Sequence, residues 1–167
     1  MDKTVRILVL MGSESDLPVM EGALRVIEEM GHSCELRICS AHRMPDVTME
    51  YAKSARQRGI EVIICGAGMA AHLAGVVASY TTVPVIGVPL SSGALGGVDS
   101  LYSTVQMPTG IPVATVAING AKNAAYLALE ILSIKYPDIA NQLALHRENM
   151  KSQLLSKSEE LEKRYKT

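Results

Sequence analysis

Apolar runs alternate along this chain with segments in which apolar residues recur every three or four positions. The first run, residues 5–11 (VRILVLM), is apolar almost throughout, which is typical of a strand buried on both faces of a sheet. A turn over residues 12–16 follows, and apolar residues then repeat at helical spacing over residues 20–27 until Gly31 ends the predicted helix. The chain therefore opens with a strand, a turn and an amphipathic helix.

The same alternation continues to residue 134. Residues 34–39 (CELRIC) alternate apolar and charged side chains, as expected of a half-exposed strand at the edge of a sheet. Five strands separated by helices predict a parallel sheet with helices on both faces, a three-layer αβα sandwich resembling flavodoxin. The remaining strands are predicted at 62–65, 85–88 and 113–117, and the remaining helices from Pro45 to near Gly59, after residues 66–72, at 99–105 and at 123–134.

A long helix is predicted at the carboxyl terminus. We expect residues 1–136 to form an α/β catalytic domain and residues 137–167 a helical extension. An apolar stripe on a terminal helix usually packs against another apolar surface, here one on the same domain or on another subunit. For about the last ten residues, the alternative is a frayed charged tail. The stripe consists of Ile139, Leu143, His146, Met150, Leu154 and Leu161.

Composition and charge narrow the class of protein. A chain of 167 residues is expected to form a substantial core. The net charge of −1 implies no bulk attraction to nucleic acid or to an anionic membrane, and the lack of Trp and Phe argues against an aromatic platform for single-stranded nucleic acid. Residues 62–78 are apolar but too short and glycine-rich for a membrane span. We therefore expect neither nucleic acid nor a membrane as partner.

The three cysteines, Cys34, Cys39 and Cys65, are odd in number and form no CxxC pair. Because no His-rich cluster accompanies them, reduced cytosolic thiols are favoured over disulfides or a zinc site. Residues 1–3 run directly into the first strand without a visible signal segment. We expect a cytoplasmic protein without a metal site.

Three chemically unusual turns follow the first three strands: GSESD (12–16), SAHRMP (40–45) and GAGMAAH (66–72). In open parallel sheets, ligands bind beyond the carboxyl ends of the strands, where the strand order reverses. The three strands are neighbours in the expected order, so their turns converge on one crevice. The glycines of the third turn allow a planar ligand to approach closely, and the loop 91–97 is placed to close over it. This arrangement predicts a nucleotide-like ligand.

The SAHRMP turn places an acid/base group beside a permanent cation. Free imidazole titrates near ~6.5, so His42 can gain or lose a proton near neutral pH. The planar fork of Arg43 suits phosphate or carboxylate oxygens. The alternative is an exposed loop histidine beside a solvated surface arginine.

The other two turns offer groups that suit a phosphorylated sugar. Ser13 lies near the start of a helix, where free amides favour an anion. Asp16 is suited to accept hydrogen bonds from ribose hydroxyls, or else either Asp16 or Ser15 simply caps the following helix. His72 begins an apolar helix and is interpreted as a core or capping histidine or as a catalytic one.

Several segments together resemble the N5-carboxyaminoimidazole ribonucleotide mutases of purine biosynthesis. They are GSESD, SAHRMPD, GAGMAAHLAG, PVIGVPL, GVDSLYSTVQMPTGIPVATVAI and KNAAYLALEIL, and they span residues 5–134. The patterns GSxSD, SAHR and DSLxSxVQMPxGxPV, in that order, are highly specific. The resemblance implies conversion of N5-carboxyaminoimidazole ribonucleotide to 4-carboxy-5-aminoimidazole ribonucleotide by a homo-octamer, without metal or organic cofactor.

The resemblance also implies roles for residues at the matching positions. His42 is expected to be the general acid/base, giving a proton to the exocyclic nitrogen as the carbamate loses carbon dioxide and later removing one from the ring carbon. Ser40 and His72 are expected to line the pocket. Substrate binding falls to Ser13, Asp16 and Arg43.

The sequence departs from the family pattern in the loop after the third strand. Met69 stands where the family often has glycine, and Ala74 stands where proline is common. The turn at 118–121 is also shorter than in many members. These departures affect the shape of the loop, while the AAHL segment resembles the mutase branch rather than the enzymes that carboxylate aminoimidazole ribonucleotide directly.

Three other functions stay open on the residues alone. Direct carboxylation of aminoimidazole ribonucleotide by carbon dioxide is the alternative within the enzyme class. A flavin-binding electron carrier shares the fold class, although the first loop lacks a Thr-rich phosphate cradle. A nucleotide sensor without catalysis would bind the same ligand and leave it unchanged.

Overall fold

The computed structural model describes residues 5–166. The chain divides into two compact units, one ending at Ala128 and the other beginning at Leu129. This division lies within a helix, and the catalytic domain and extension proposed for residues 1–136 and 137–167 stay a prediction.

The first unit is built on a five-stranded parallel sheet with the order β2-β1-β3-β4-β5, which confirms the predicted architecture. Every residue of β1 is buried, as its apolar sequence predicts, whereas the residues of β2 are half-buried or exposed because β2 is an edge strand. The strands are β1 Ile7–Met11, β2 Cys34–Ile38, β3 Val62–Gly68, β4 Val85–Leu90 and β5 Ala114–Thr115.

Helices cover both faces of this sheet. On one face, Leu10 and Ile63 pack in a common core with Ala52 of α2 and Leu73 of α3. On the other face, the Met20 side chain of α1 lies against the backbone of β3. The helices are α1 Leu17–Glu29, α2 Pro45–Ser54, α3 Leu73–Tyr80, α4 Val98–Val105, α5 Ala121–Ser133 and α6 Pro137–Tyr165.

Three elements differ in length from the prediction by three residues or more. β3 runs three residues further than expected, to Gly68, because its glycine-rich end still pairs with β4 up to Leu90. β5 is two residues long rather than five, since the chain leaves the sheet and turns at Asn119, whose φ is 58°. α2 ends at Ser54 instead of near Gly59, and turns fill the interval.

The predicted carboxyl-terminal helix is confirmed over the 29 residues of α6. Its apolar stripe is buried at Ile139 and Leu143 and exposed further on, where Met150 and Leu154 are 50% and 67% accessible. In the described part of the chain, no helix combines the length and the apolar character that crossing a membrane requires.

Candidate active site

A cavity of about 500 Å³ opens at the carboxyl edge of the sheet. The turns after β1, β2 and β3 line it, as predicted, and one residue of the loop after β4 joins them. The structure brings all six residues singled out in the sequence to this cavity: Ser13, Asp16, Ser40, His42, Arg43 and His72.

Backbone hydrogen bonds tie these turns together. The amide of Gly12, directly after β1, donates to the carbonyl of Gly66 in β3 at 3.2 Å. On the other side, the amide of Cys39 donates to the carbonyl of Met11 at 2.8 Å. Because β1 lies between β2 and β3, three turns far apart in sequence share one edge of the sheet.

Ser13 and Asp16 form a reciprocal cap on a single 3₁₀ turn, Glu14–Asp16. The Ser13 hydroxyl accepts from the amide of Ser15 at 3.4 Å, and Asp16 Oδ2 accepts from the amide of Ser13 at 2.9 Å. Asp16 occupies the N-cap position of α1, as expected, but its side chain makes no capping hydrogen bond to that helix. Because a 3₁₀ turn precedes α1, the Asp16 carboxylate accepts from Ser13, the N-cap of that turn, instead.

The Asp16 carboxyl sits in a partly buried position beside the cavity. Burial raises its pKa above the ordinary value, while hydrogen bonds from the backbone of Ser13 and Gly12 and the Arg43 cation act in the opposite direction. The carboxyl is thus held in place by backbone groups and faces the cavity with acceptor capacity left over.

Arg43 is tied to two turns at once. Its Nη2 donates to the carbonyl of Gly12 at 2.8 Å. Its Nε and its backbone amide both donate to the hydroxyl of Ser40, at 3.3 and 3.2 Å. Although Arg43 is exposed, these bonds hold its guanidinium at the rim of the cavity, so the alternative of a freely solvated surface charge does not describe it.

The side chains of His42 and His72 contact each other in the lining of the cavity. Nε2 of His42 lies 2.8 Å from Nδ1 of His72, and the rings are edge to face with centroids 4.9 Å apart. A hydrogen bond between two imidazole nitrogens requires that one carry a proton and the other not. The pair therefore shares one proton at this contact.

The interpretation of His72 as a core or capping histidine is wrong. It occupies the N-cap position of α3, but its side chain makes no capping hydrogen bond and is exposed. The ring is directed to His42 instead, because the turn before α3 places it at the edge of the cavity.

Two further lining residues were not singled out as ligands from the sequence. Ser92, from the loop after β4, packs so closely on Gly68 that a Cβ there would lie 1.9 Å from the Ser92 hydroxyl oxygen. Met69 lines the cavity with a left-handed backbone, φ 55°. The family preference for glycine at position 69 was the available signal for that strain; nothing in the sequence distinguished Ser92 from Ser91.

The arrangement combines anion recognition with proton transfer. Arg43 and the turn at Ser13 suit a phosphate, and Asp16 suits hydroxyl groups. The imidazole pair suits a group that must gain and lose a proton. Among residues 5–166, no cluster of three or more His, Cys, Asp or Glu side chains is placed to hold a metal ion.

Comparison with known proteins gives consistent matches along almost the whole chain. A family model described as AIR carboxylase matches residues 6–153. The N5-carboxyaminoimidazole ribonucleotide mutase of Thermotoga maritima is 59% identical over 94% of this chain and 92% of its own length. The mutase of the same name from Pyrococcus horikoshii is 60% identical over 92% of this chain and 87% of its own length.

Longer proteins and solved structures match as well. The phosphoribosylaminoimidazole carboxylase of Schizosaccharomyces pombe is 50% identical over 93% of this chain, which spans only 28% of that protein. The crystal structure of Treponema denticola PurE has a TM-score of 0.83 at 28% identity, covering 96% of this chain and 98% of that one. The sequence relatives and the structural neighbour point to one and the same family.

Proposed function

Since the chain belongs to the AIR carboxylase family, we propose that it converts N5-carboxyaminoimidazole ribonucleotide to 4-carboxy-5-aminoimidazole ribonucleotide in purine biosynthesis. The relatives that carry the mutase name match nearly end to end, whereas the relative named a carboxylase is much longer than this chain. The structural observation that carries the proposal is the His42–His72 pair, which lies in the same cavity as the anchored guanidinium of Arg43.

The ribonucleotide is held at the β1 and β2 turns. Arg43 uses Nε and one Nη in its bonds to the protein, so its fork keeps N–H donors for phosphate oxygens. The hydroxyls of Ser13 and Ser15 line the cavity beside it and can also donate to the phosphate. Asp16 accepts hydrogen bonds from the ribose hydroxyls, and this role requires its carboxylate to stay ionised.

The reaction begins with a proton transfer from His42. As the bond between the exocyclic nitrogen and the carboxyl carbon breaks, its electron pair stays on nitrogen, which takes a proton from the His42 imidazolium. The products of this step are an amine, carbon dioxide and a neutral imidazole. His72, adjacent at 2.8 Å, orients the His42 ring for the transfer.

The second step attaches the carboxyl group to the ring carbon. The ring carbon next to the amine attacks carbon dioxide, forming a carbon–carbon bond and a carboxylate. Neutral His42 then removes the proton from that carbon, which restores the aromatic ring and regenerates the imidazolium. The proton given in the first step is recovered in the second, so one residue serves both, and such a group typically contributes ~10²–10⁴-fold.

Retention of carbon dioxide makes the sequence of steps efficient. Holding it beside its acceptor replaces a bimolecular encounter with proximity, worth ~7–11 kcal/mol in favourable cases. The small apolar residues Ala67 and Ala70 line the cavity and suit an apolar gas.

A two-substrate assay tests this function. The purified protein is given either N5-carboxyaminoimidazole ribonucleotide or aminoimidazole ribonucleotide with bicarbonate, and formation of 4-carboxy-5-aminoimidazole ribonucleotide is followed. The proposal expects rapid turnover of the first and slow or no turnover of the second. Preference for the second would assign the direct carboxylase activity instead, and turnover of neither would remove the proposal.

The active form is a homo-octamer located in the cytoplasm. Exposed apolar residues at helical spacing on α4, Val98, Tyr102 and Val105, and on the distal part of α6 support association of copies. The three free cysteines fit a reducing compartment. Analytical ultracentrifugation is expected to give eight times the mass of one chain, and a monomer at micromolar concentration would contradict the octamer.

A further inference from the structure

Ser92 differs from the other polar residues that line the cavity. Each of the others makes a side-chain hydrogen bond within the protein, as shown for Ser13, Ser15, Asp16, Ser40, His42, Arg43 and His72. The hydroxyl of Ser92 is half-buried, and the described part of the chain supplies no hydrogen-bond partner for it. A half-buried hydroxyl that lines a cavity and has no protein partner is available to a ligand.

The position of Ser92 along the edge of the sheet identifies which end of the ligand it meets. The turns that hold the phosphate and ribose follow β2 and β1, whereas Ser92 follows β4. With strands about 4.8 Å apart, the β2 and β4 turns are separated by roughly 14 Å. The His42–His72 contact joins the β2 turn, which carries Arg43, to the β3 turn, which adjoins β4.

A ligand anchored by its phosphate at Arg43 therefore presents its far end to Ser92. In the carboxylated aminoimidazole ribonucleotides, the end opposite the phosphate is the imidazole with its carboxyl group. Building on the proposed function, we propose that the Ser92 hydroxyl donates a hydrogen bond to the carboxyl group that the enzyme transfers. Ser92 is then a substrate-binding residue specific for the carboxylated nucleotides.

A serine suits this role chemically. Its hydroxyl donates to a carboxylate on nitrogen and to one on carbon alike, since the hydroxyl rotates to meet either. It also carries no titrating proton that would compete with His42 for the transfer. A bond from a neutral hydroxyl to a charged carboxylate is among the stronger hydrogen bonds in proteins.

Gly68 makes room for this hydroxyl. A Cβ at position 68 would lie 1.9 Å from the Ser92 oxygen and 3.0 Å from its Cβ, so no other residue leaves Ser92 in place. Gly68→Ala is therefore a second way to remove the contact, with the serine itself retained.

The test compares the affinities of each protein variant for two nucleotides. Binding of 4-carboxy-5-aminoimidazole ribonucleotide and of aminoimidazole ribonucleotide, which lacks the carboxyl group, is measured by calorimetry for the wild type, Ser92→Ala and Gly68→Ala. Both variants are expected to lose about tenfold or more in affinity for the carboxylated nucleotide, while affinity for the other changes by less than about twofold. Ser91→Ala, an exposed position one residue earlier, is the matched control and is expected to change neither.

The ratio of the two affinities decides the outcome. If the ratio of the two affinities stays at the wild-type value in both Ser92→Ala and Gly68→Ala, the role of Ser92 is overturned, whether the two affinities fall together or stay unchanged. The wild type separates this result from failure of the proposed function. If the wild type turns over the carbamate substrate while Ser92→Ala keeps the wild-type ratio, only the Ser92 inference fails; if the wild type binds neither nucleotide, the proposed function fails.

Discussion

Nε2 of His42 and Nδ1 of His72, thirty positions apart in the sequence, lie 2.8 Å from each other at the mouth of the cavity. The contact joins the turn after β2 to the turn after β3, with β1 between the two strands. When both ring nitrogens of His42 carry a proton, Nε2–H donates to an unprotonated Nδ1 of His72. The proton on the other ring nitrogen of His42 is then the one left for transfer to the substrate. Three of the predictions below follow from the groups around this pair.

Replacing His42 with Asn is expected to reduce turnover by at least ~10²–10⁴-fold, because asparagine neither supplies nor removes the proton. Affinity for 4-carboxy-5-aminoimidazole ribonucleotide should stay within a few-fold of the wild type, since Arg43 and Asp16 are untouched. Single-turnover kinetics and calorimetry measure the two effects. His32→Asn, outside the cavity, serves as control, and residual turnover close to the wild-type rate would show that another group moves the proton.

Two variants of His72 distinguish the effect of its hydrogen bond to His42 from the effect of the space that its ring fills. His72→Gln keeps an amide oxygen able to accept from His42, whereas His72→Phe keeps a ring but no hydrogen-bonding group. We expect kcat to fall by about tenfold or more in the Phe variant and less in the Gln variant, with KM changing little. Steady-state rates provide the comparison. Equal loss of kcat in both would mean that the hydrogen bond does not orient His42.

Ser40 controls the position of Arg43, since its buried hydroxyl accepts from both the amide and Nε of that residue. Ser40→Ala is expected to raise KM by about 2–10-fold, the range of a typical hydrogen bond, with a smaller effect on kcat. Arg43→Lys should raise KM further, because lysine lacks the planar fork. Initial-rate measurements at low and high salt follow both variants. If KM is unchanged in Arg43→Lys, Arg43 does not bind the phosphate of the substrate through its planar fork.

Ionisation of the Asp16 carboxyl group lowers the stability of the fold, and the size of this effect depends on pH. Burial raises its pKa above the ordinary 3.8, so the folded state binds the proton more tightly than the unfolded chain. The stability cost of ionisation is absent below the unfolded pKa and fully present above the folded one. Asp16→Asn should therefore unfold at an equal or higher Tm at pH 7, and the difference should shrink as the pH falls toward 3.8, while KM rises because the charged acceptor is lost.

Thermal scans between pH 3.5 and 7.5 check this prediction. Asp46→Asn is the control, since Asp46 is exposed in the first turn of α2 and stabilises the helix start. That substitution should lower Tm slightly at pH 7. A Tm for Asp16→Asn well below the wild type at neutral pH would show that the cap to Ser13 outweighs the burial of the charge.

Met69 holds a left-handed backbone that glycine adopts without strain. Its side chain is 60% exposed, so little apolar burial is lost on truncation. Met69→Gly is expected to change the free energy of unfolding by between zero and about +1 kcal/mol in the stabilising direction. Chemical denaturation measures it. Ala70→Gly, at a neighbour without positive φ, should destabilise the protein, and the same loss in both would mean that Met69 is not strained.

The sequence predicted the fold well where the signal is local. The unbroken apolar run of β1, the alternation in β2 and the helical repeat before Gly31 each concern neighbouring residues, and each element was confirmed. Errors appeared where a partner element decides the boundary. β3 extends to Gly68 because β4 pairs with it there, and Ser13 caps a 3₁₀ turn that local propensity did not indicate.

The sequence by itself determined the class of sheet, the family and the six residue types expected in the cavity, because periodicity and motifs are properties of contiguous residues. Only the tertiary structure decided that His42 faces His72, that Arg43 is held by Ser40 and Gly12, and that Ser92 rather than Ser91 reaches the cavity. These contacts depend on which strands lie side by side and on how each turn leaves its strand. Such choices arise from packing between segments distant in sequence, which no local pattern encodes.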